Sequence, residues 1–248
     1  MKIENVMSAK GLSFVALFSL LALVASNVNF SPILGGASNQ SFTFFQFMGP
    51  IASGFLGAGA GVLAVLLAQV VSFVYLGQSI SPINILLLAP MLFAALYFAN
   101  YAKGVSGASA GKAAQRISLG RLAPAAVSLV CMALFIAHPV GQQVWYYSLY
   151  WLVPAIVLAL PENLLLRSYG STFTAHAIGS TIFLYLVPSA PALWIALIPV
   201  VAFERTMFAL GITGSYFAFN TVLSKVEAVA KSGMVSIDRR YVLFAQKA

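Results

Sequence analysis

Long apolar segments follow one another along the whole chain, with short polar stretches between them. Each is close to or above the roughly 20 residues that an α-helix needs to cross the hydrocarbon core of a bilayer. The pattern therefore predicts membrane-spanning helices. The seven segments are Gly11–Val28, Phe45–Leu76, Ile83–Tyr101, Leu119–His138, Val144–Leu160, Ser171–Val187 and Ala192–Leu223.

The composition of the 248-residue chain supports the same class. Hydrophobic residues make up 61% and charged residues 7%, and the mean hydropathy is +0.95. A soluble domain of this size needs more polar side chains to cover its surface. We therefore predict an all-α polytopic membrane bundle, with one transmembrane domain over residues 1–224 and a short basic tail over residues 225–248.

Two of the segments are too long for one simple crossing. Phe45–Leu76 would measure about 48 Å as a helix, against a hydrocarbon core of about 30 Å. Its middle is rich in glycine between Gly54 and Gly61, which can break a helix. We predict a short and a long helix broken at Gly57–Gly61, which gives eight apolar helices in place of seven. Ala192–Leu223 has the same excess length.

The charge distribution predicts the orientation. The formal net charge is +8, from 13 Lys and Arg against 5 Asp and Glu. The basic residues gather near the start, between Lys103 and Arg121, at Arg167 and in the tail. Basic loops beside membrane spans mark the cytoplasmic side, so we predict a multi-pass protein of the cell membrane with a cytoplasmic C-terminus. The sequence contains no basic stripe interleaved with aromatic residues, so it does not indicate nucleic-acid binding.

The side of the membrane on which the chain starts depends on the number of helices. With eight helices the chain starts on the cytoplasmic side, and with seven it starts outside. Lys2 and Lys10 favour the cytoplasmic start, which requires the broken second segment.

One helix carries a stripe of small residues. Gly57, Gly61, Ala64 and Ala68 recur at helical spacing, and such stripes let two helices approach closely. The first interpretation is packing of helices inside the chain, and the second is that these four residues dock a partner helix.

A few ionisable residues lie in apolar surroundings. Glu162, Asn163 and Arg167 are interpreted as a cluster at a cytoplasmic helix end, and His176 lies among hydroxyl-bearing residues. Glu204 and Arg205 lie inside an apolar run, where an unpaired charge costs several kcal/mol.

The partners of Glu204 and Arg205 follow from helix geometry. Adjacent residues of a helix point about 100° apart, so we predict that these two do not pair well with each other. The available partners for each are Arg167, Glu162 and His176.

Catalysis finds little support in the sequence. Glu162, Asn163 and Arg167 loosely resemble the Glu-Glu-x-x-x-Arg signature of intramembrane CAAX-type proteases, but Asn163 replaces the second acid and the downstream histidines are absent. The single cysteine, Cys131, makes neither an internal disulfide nor a metal site. We predict no catalytic residue, metal or cofactor.

The stretch from Phe45 to Gln69 resembles the early helices of the substrate-binding S components of energy-coupling factor transporters. In that family a first helix is followed by an external loop over the ligand, a short helix and a glycine-rich start of the next helix. The resemblance covers Leu17 to Leu76. It implies a vitamin-like or ionic ligand near the outer face, and docking onto a transmembrane coupling subunit that works with ATPases.

We therefore predict a membrane transport protein, in particular a substrate-binding subunit for uptake of a small solute. A non-catalytic structural subunit, with Trp145–Trp151 facing lipid or partners, is the alternative, and a membrane-embedded enzyme is the third possibility. The residues predicted to line the ligand path are Asn39, Gln40, Gln46, His176, Glu204 and Arg205.

Overall fold

The computed structural model describes residues 9–32, 41–101, 119–230, 233 and 235–243. Most of the described residues are helical, which confirms the all-α prediction. The helices are α1 Ala9–Ser26, α2 Phe45–Leu56, α3 Ala58–Tyr75, α4 Pro82–Leu86, α5 Ala89–Tyr101, α6 Leu119–Ala137, α7 Pro139–Gln143, α8 Val153–Ala159, α9 Leu164–Leu186, α10 Pro191–Lys225 and α11 Glu227–Ala230, with 3-10 turns at Trp145–Leu152 and Arg239–Tyr241.

A small antiparallel hairpin interrupts the helices after α1. Its strands are β1, Asn29–Pro32, and β2, Ser41–Thr43. Asn29 lies opposite Thr43 and Pro32 lies opposite Ser41, with an irregular register between them. The hairpin occupies part of the segment between the first and second apolar segments, where the resemblance to S components implies an external loop.

The predicted break in the second apolar segment is confirmed. Helix α2 ends at Leu56 and α3 begins at Ala58, and Gly57 between them has φ +82°. This left-handed backbone is strained for residues with a Cβ, so glycine suits the turn. The short helix has 12 residues and the long one 18.

Among the described residues, three helices are long and apolar enough to cross a membrane, fewer than the seven or eight predicted. They are Ala58–Tyr75, Pro82–Tyr101 (α4 with α5) and Pro191–Lys225. Three further apolar stretches of helix, each of 10–17 described residues, lie between these helices or before them. These are Leu12–Ser26, Leu122–Ala137 and Trp145–Ala159.

Helix α9, with 23 residues, is long enough to cross a membrane but is more polar than the three long apolar helices. It lies in the middle of the bundle and packs against α5, α6, α8 and α10. Its hydroxyls bond to protein groups: Ser171 Oγ donates to the carbonyl of Ala94 at 2.8 Å, and Thr213 Oγ1 donates to Ser168 Oγ at 3.0 Å. A helix surrounded by protein can carry such residues because they do not face lipid.

The helices run up and down between two ends of the bundle. The hairpin end carries β1 and β2, and there Ser26 of α1 meets Ser72 of α3, while Gln69 Nε2 donates to the carbonyl of Leu88. The tail end carries residues 235–243, and there the amide of Ser236 donates to the carbonyl of Phe55 at the end of α2.

The outside of the bundle is apolar. In the most apolar windows of the three long helices only 28%, 33% and 33% of the residues are buried. Large side chains such as Val74 and Phe203, 72% and 67% exposed, project outward. An exposed apolar surface of this extent is typical of contact with lipid or with other proteins.

The small-residue stripe faces inward, which favours packing within the chain over the docking of a partner helix. Ala64 and Ala68 are 1% and 2% exposed, Gly61 is buried and Gly57 is half-buried. Helix α3 packs here against α1 and α2, and Ser19 Oγ of α1 donates to the carbonyl of Ala64 at 3.1 Å. The small side chains serve close packing within the chain, so they are not available to a partner helix.

Replacing Gly61 by Ala is expected to lower the free energy of unfolding by about 1–3 kcal/mol, because an added Cβ would overlap the backbone of Ser53. Gly59 on the same helix has no atom within 4 Å of an added Cβ. Gly59→Ala is therefore the matched control, expected to be neutral or stabilising by up to about 1 kcal/mol. Thermal unfolding in detergent measures both, and equal stability of the two variants would contradict this packing.

The described part of the tail folds back onto the bundle. The amide of Asp238 donates to Asn220 Oδ1 at 2.8 Å, and the amide of Leu243 donates to Thr221 Oγ1 at 2.9 Å. Tyr241 packs on the rings of Tyr216 and Phe217. Residues 235–243 thus cover the tail end of the bundle.

Arg240 links the tail to the turn before α9. It binds Asp238 at 2.7 Å and Glu162 at 3.4 Å. Burial raises the pKa of Asp238, but the hydrogen bonds and charge of Arg240 outweigh burial, so the pKa lies below its ordinary value. The interaction therefore stabilises the tail above about pH 4, the ordinary aspartate pKa, and is lost as the pH falls through the lowered value.

Replacing Asp238 by Asn is expected to speed hydrogen exchange of the tail amides a few-fold at neutral pH, in keeping with an ion pair worth about 1 kcal/mol or less. The amides of wild type are expected to lose the same protection in acid, after correction for the intrinsic exchange rate. Arg239→Gln is the control, since Arg239 is exposed and has no ion pair among the described residues. Unchanged exchange in Asp238→Asn would contradict this role.

Candidate functional site

A cavity of about 290 Å³ lies inside the bundle near the hairpin end. Helices α2, α3, α5, α9 and α10 form most of its wall, and strand β2 contributes Ser41 and Phe42. Its volume is at the lower end of the range of small-molecule sites, roughly 300–1,000 Å³. The lining residues are Ser41, Phe42, Phe45, Gln46, Gln69, Leu87, Pro90, Met91, Tyr147, Ala175, His176, Gly179, Ser180, Phe183, Trp194, Leu197, Val200, Val201, Glu204 and Arg205.

The structure brings four of the six predicted ligand-path residues together in this cavity. Gln46 comes from α2, His176 from α9, and Glu204 with Arg205 from α10. Asn39 and Gln40 lie outside the described residues. The binding role of the set stays a prediction.

Glu204 and Arg205 form an ion pair, which corrects the prediction that they do not pair with each other. Arg205 Nη2 lies 3.5 Å from Glu204 Oε2, and both side chains are at least 90% buried. The Cα–Cβ bonds of neighbouring helical residues diverge, but both side chains have several rotatable bonds. Their charged ends therefore meet beside the helix.

Each member of the pair has a second contact. Ser31 Oγ of β1 donates to Glu204 Oε1 at 2.9 Å. Arg205 Nη1 donates to Thr172 Oγ1 at 3.4 Å. The guanidinium also lies 4.9 Å from the ring centre of Phe42 and 4.5 Å from that of Phe208. The hairpin thus contacts both charges, through a hydroxyl and through an aromatic ring.

His176 is held between two hydroxyls. Tyr147 Oη is 3.2 Å from His176 Nε2, and Ser180 Oγ is 3.3 Å from Nδ1. The rings of Trp151 and Phe173 pack around the imidazole. Because both ring nitrogens are engaged, His176 positions Tyr147 and Ser180 at the cavity wall.

Two predicted partners of the ion pair lie elsewhere. Arg167 Nε donates to the carbonyl of Phe98 at 2.6 Å, and its guanidinium stacks 3.7 Å from the Phe98 ring centre. Glu162 binds Arg240 of the tail. Asn163 caps the start of α9 through its Oδ1. The three residues therefore lie together at one helix end, as predicted, but each side chain binds a different partner.

Sequence reasoning missed Tyr147 and Gln69, which also line the cavity. Tyr147 lies in the aromatic segment that the structural-subunit alternative assigns to a surface facing lipid or partners, yet Tyr147 and Trp151 are 1% and 0% exposed. Gln69 is the only amide in the apolar segment of α3. An amide in such a segment indicates an internal polar contact, and this pattern could have revealed it.

Several polar groups near the cavity retain hydrogen-bonding capacity. The carbonyl of Leu88 can only accept, so the nitrogen of Gln69 faces it and Oε1 is left without a partner among the described residues. Arg205 Nε likewise has none there. Such buried groups are costly to leave unsatisfied, and their presence beside a cavity is typical of a binding site.

The described residues contain no group of three His, Cys, Asp or Glu side chains able to hold a metal ion. The cavity combines aromatic walls with an ion pair and amide groups, an arrangement that suits the binding of a small organic molecule.

No protein-family model, curated protein or solved structure matches the chain. The fold itself defines an all-α bundle with helices long and apolar enough to cross a membrane and an internal polar cavity. The resemblance to S components stays a prediction.

Proposed function

We propose that the protein spans the cell membrane, with the hairpin end outside and the tail end in the cytoplasm. The apolar exterior supports the membrane location. The charge distribution supports the orientation: every Lys and Arg except Arg205 lies in, or within one turn of, the segments that join or extend helices at the tail end. The connections at the hairpin end contain no charged residue.

Cysteine labelling tests the orientation. In a Cys131→Ala background, Gln78→Cys places a thiol in an exposed connection at the hairpin end, and Lys225→Cys places one at the exposed end of α10. A membrane-impermeant maleimide is expected to label the first variant in intact cells and the second only after permeabilisation. The reverse pattern would contradict the orientation.

Within this orientation, we propose that the protein captures a small solute from outside as the substrate-binding subunit of an uptake system. The observation that carries the proposal is the cavity at the hairpin end with its buried Glu204–Arg205 pair. Burying two charges against protein is expensive, and such groups in membrane proteins mark substrate paths. The hairpin above the cavity and the short helix before Gly57 agree with the resemblance to S components.

The uptake proposal implies a transmembrane coupling subunit and ATPases as partners. The small-residue stripe is buried, so a coupling subunit would contact other surfaces. The exposed faces of the long helices offer apolar area for this purpose. Co-purification with ATPases from the native membrane supports the uptake role, whereas co-purification in a fixed complex that binds no solute supports the structural-subunit alternative.

A thermal-shift screen tests solute binding directly. The purified protein is mixed with a broad panel of small solutes, and ligands are expected to raise its melting temperature, because anything that binds only the folded state stabilises it. A protein that responds to none would contradict the capture proposal.

A further inference from the structure

The ligand of the cavity can be narrowed from the charges that line it. Glu204 and Arg205 are the only charged residues in the described wall, and they neutralise each other at 3.5 Å. Glu204 is further satisfied by Ser31. A charged ligand would add a charge without a counter-charge in a site of low dielectric, which is unfavourable. Electrostatics therefore favours a ligand without net charge.

The cavity walls favour a ligand with a flat, apolar ring system. Rings of Phe42, Phe45, Tyr147, Phe183 and Trp194 line the cavity together with aliphatic side chains. Aromatic side chains pack well on flat rings in offset or edge-to-face arrangements. The volume of about 290 Å³ limits the ligand to a small molecule.

The polar groups require both a donor and an acceptor on the ligand. Gln69 retains an unpaired acceptor and Arg205 an unpaired donor among the described residues. The side chain of Gln46, half-buried in the wall, makes no hydrogen bond within the described part of the chain. Its amide offers one more donor and one more acceptor. A ligand that carries both kinds of group can satisfy these side chains after small rotations of their ends.

We propose that the cavity binds an uncharged, flat aromatic amide or nucleobase-like heterocycle that carries a hydrogen-bond donor and an acceptor. This inference rests on the proposed capture function and names its substrate class.

Matched probes test the inference. Benzamide, benzoate and benzylamine share a phenyl ring and differ in charge at neutral pH. Nicotinamide and nicotinate form a second set. Melting temperature and dissociation constant are measured with the purified full chain. Each amide is expected to bind at least about tenfold more tightly than its charged counterparts, a difference of one strong polar interaction.

Tighter binding of a carboxylate or an ammonium would overturn the proposal but leave solute capture intact. Binding of no probe would overturn it as well, and a protein that also fails the broad solute screen would remove the capture function with it.

Two variants link the selectivity to the wall. Gln69→Leu is expected to weaken benzamide about tenfold, whereas Gln143→Leu, an exposed glutamine outside the cavity, is expected to have no effect. Glu204→Gln leaves Arg205 unneutralised, so benzoate is expected to bind it more tightly than benzamide and to raise its melting temperature. The proposal is wrong if Gln69→Leu binds benzamide as tightly as wild type does, or if a folded Glu204→Gln variant still prefers benzamide to benzoate. Gln69→Leu keeps the test open should Glu204→Gln fail to fold.

Discussion

Replacing Glu204 by Leu is expected to destabilise the protein by about 3–5 kcal/mol, because it leaves the buried guanidinium of Arg205 without a counter-charge. Arg205 is 3% exposed, and its other polar contact, to Thr172, is long at 3.4 Å. The rings of Phe42 and Phe208 contribute less than a carboxylate. The melting temperature in detergent or nanodiscs measures the loss.

The double variant Glu204→Leu, Arg205→Met distinguishes the effect of losing the whole ion pair from the effect of losing one of its charges. Removing both charges is expected to restore most of the stability, because hydrophobic residues of similar size often replace a buried ion pair without loss. Solute capture is expected to stay lost. Arg239→Leu is the control, since Arg239 is exposed and has no ion pair in the part of the chain that the structure describes. If the single variant Glu204→Leu is as stable as wild type, Glu204 does not neutralise a buried Arg205.

Replacing Gly179 by Leu is expected to abolish solute binding while leaving the fold intact. Gly179 lies on α9 at the cavity wall, and an added Cβ would meet only Pro90 Cγ at an ordinary 3.7 Å. The rest of the leucine side chain would project into the space that the ligand needs. A ligand that must compete with a buried leucine loses about tenfold in affinity for each 1.4 kcal/mol of steric cost, so the loss is expected to exceed a hundredfold.

Gly214 provides the matched control for this substitution. It lies in α10, is exposed, and has no atom within 4 Å of an added Cβ. Gly214→Leu is expected to bind solute as wild type does. Retained binding in Gly179→Leu would show that the ligand lies elsewhere.

Hydropathy was sufficient to predict the helical class and the glycine break, because both depend on local properties of the chain. The length of apolar runs sets the number of helices that sequence reasoning expects. The break at Gly57 follows from a backbone conformation that glycine adopts easily. The number of long apolar helices among the described residues is lower than predicted, because Val144–Leu160 forms a 3-10 turn followed by a short helix and α9 combines sufficient length with a polar, buried surface.

The site could be predicted only in part, because it depends on side-chain directions and on contacts between distant segments. Polarity in apolar surroundings was enough to select His176, Glu204 and Arg205. Their mutual arrangement was not predictable, since helical periodicity gives the direction of a Cβ and not the position of a guanidinium. The contact between Ser31 and Glu204 joins residues 173 positions apart.

The small-residue stripe illustrates the same limit. Its spacing on α3 is equally suited to an internal helix contact and to a partner helix. Only the packing of α1 and α2 against α3 decides that it is internal.

Native mass spectrometry of the gently extracted protein tests the central claim, which is that the cavity at the hairpin end holds a small solute. Wild type and Gly214→Leu are predicted to carry a bound small molecule that is released on activation in the gas phase, and Gly179→Leu is predicted to carry none. A wild-type protein that is free of small molecules and does not respond to the solute panel would contradict the claim, as would an equally occupied Gly179→Leu variant.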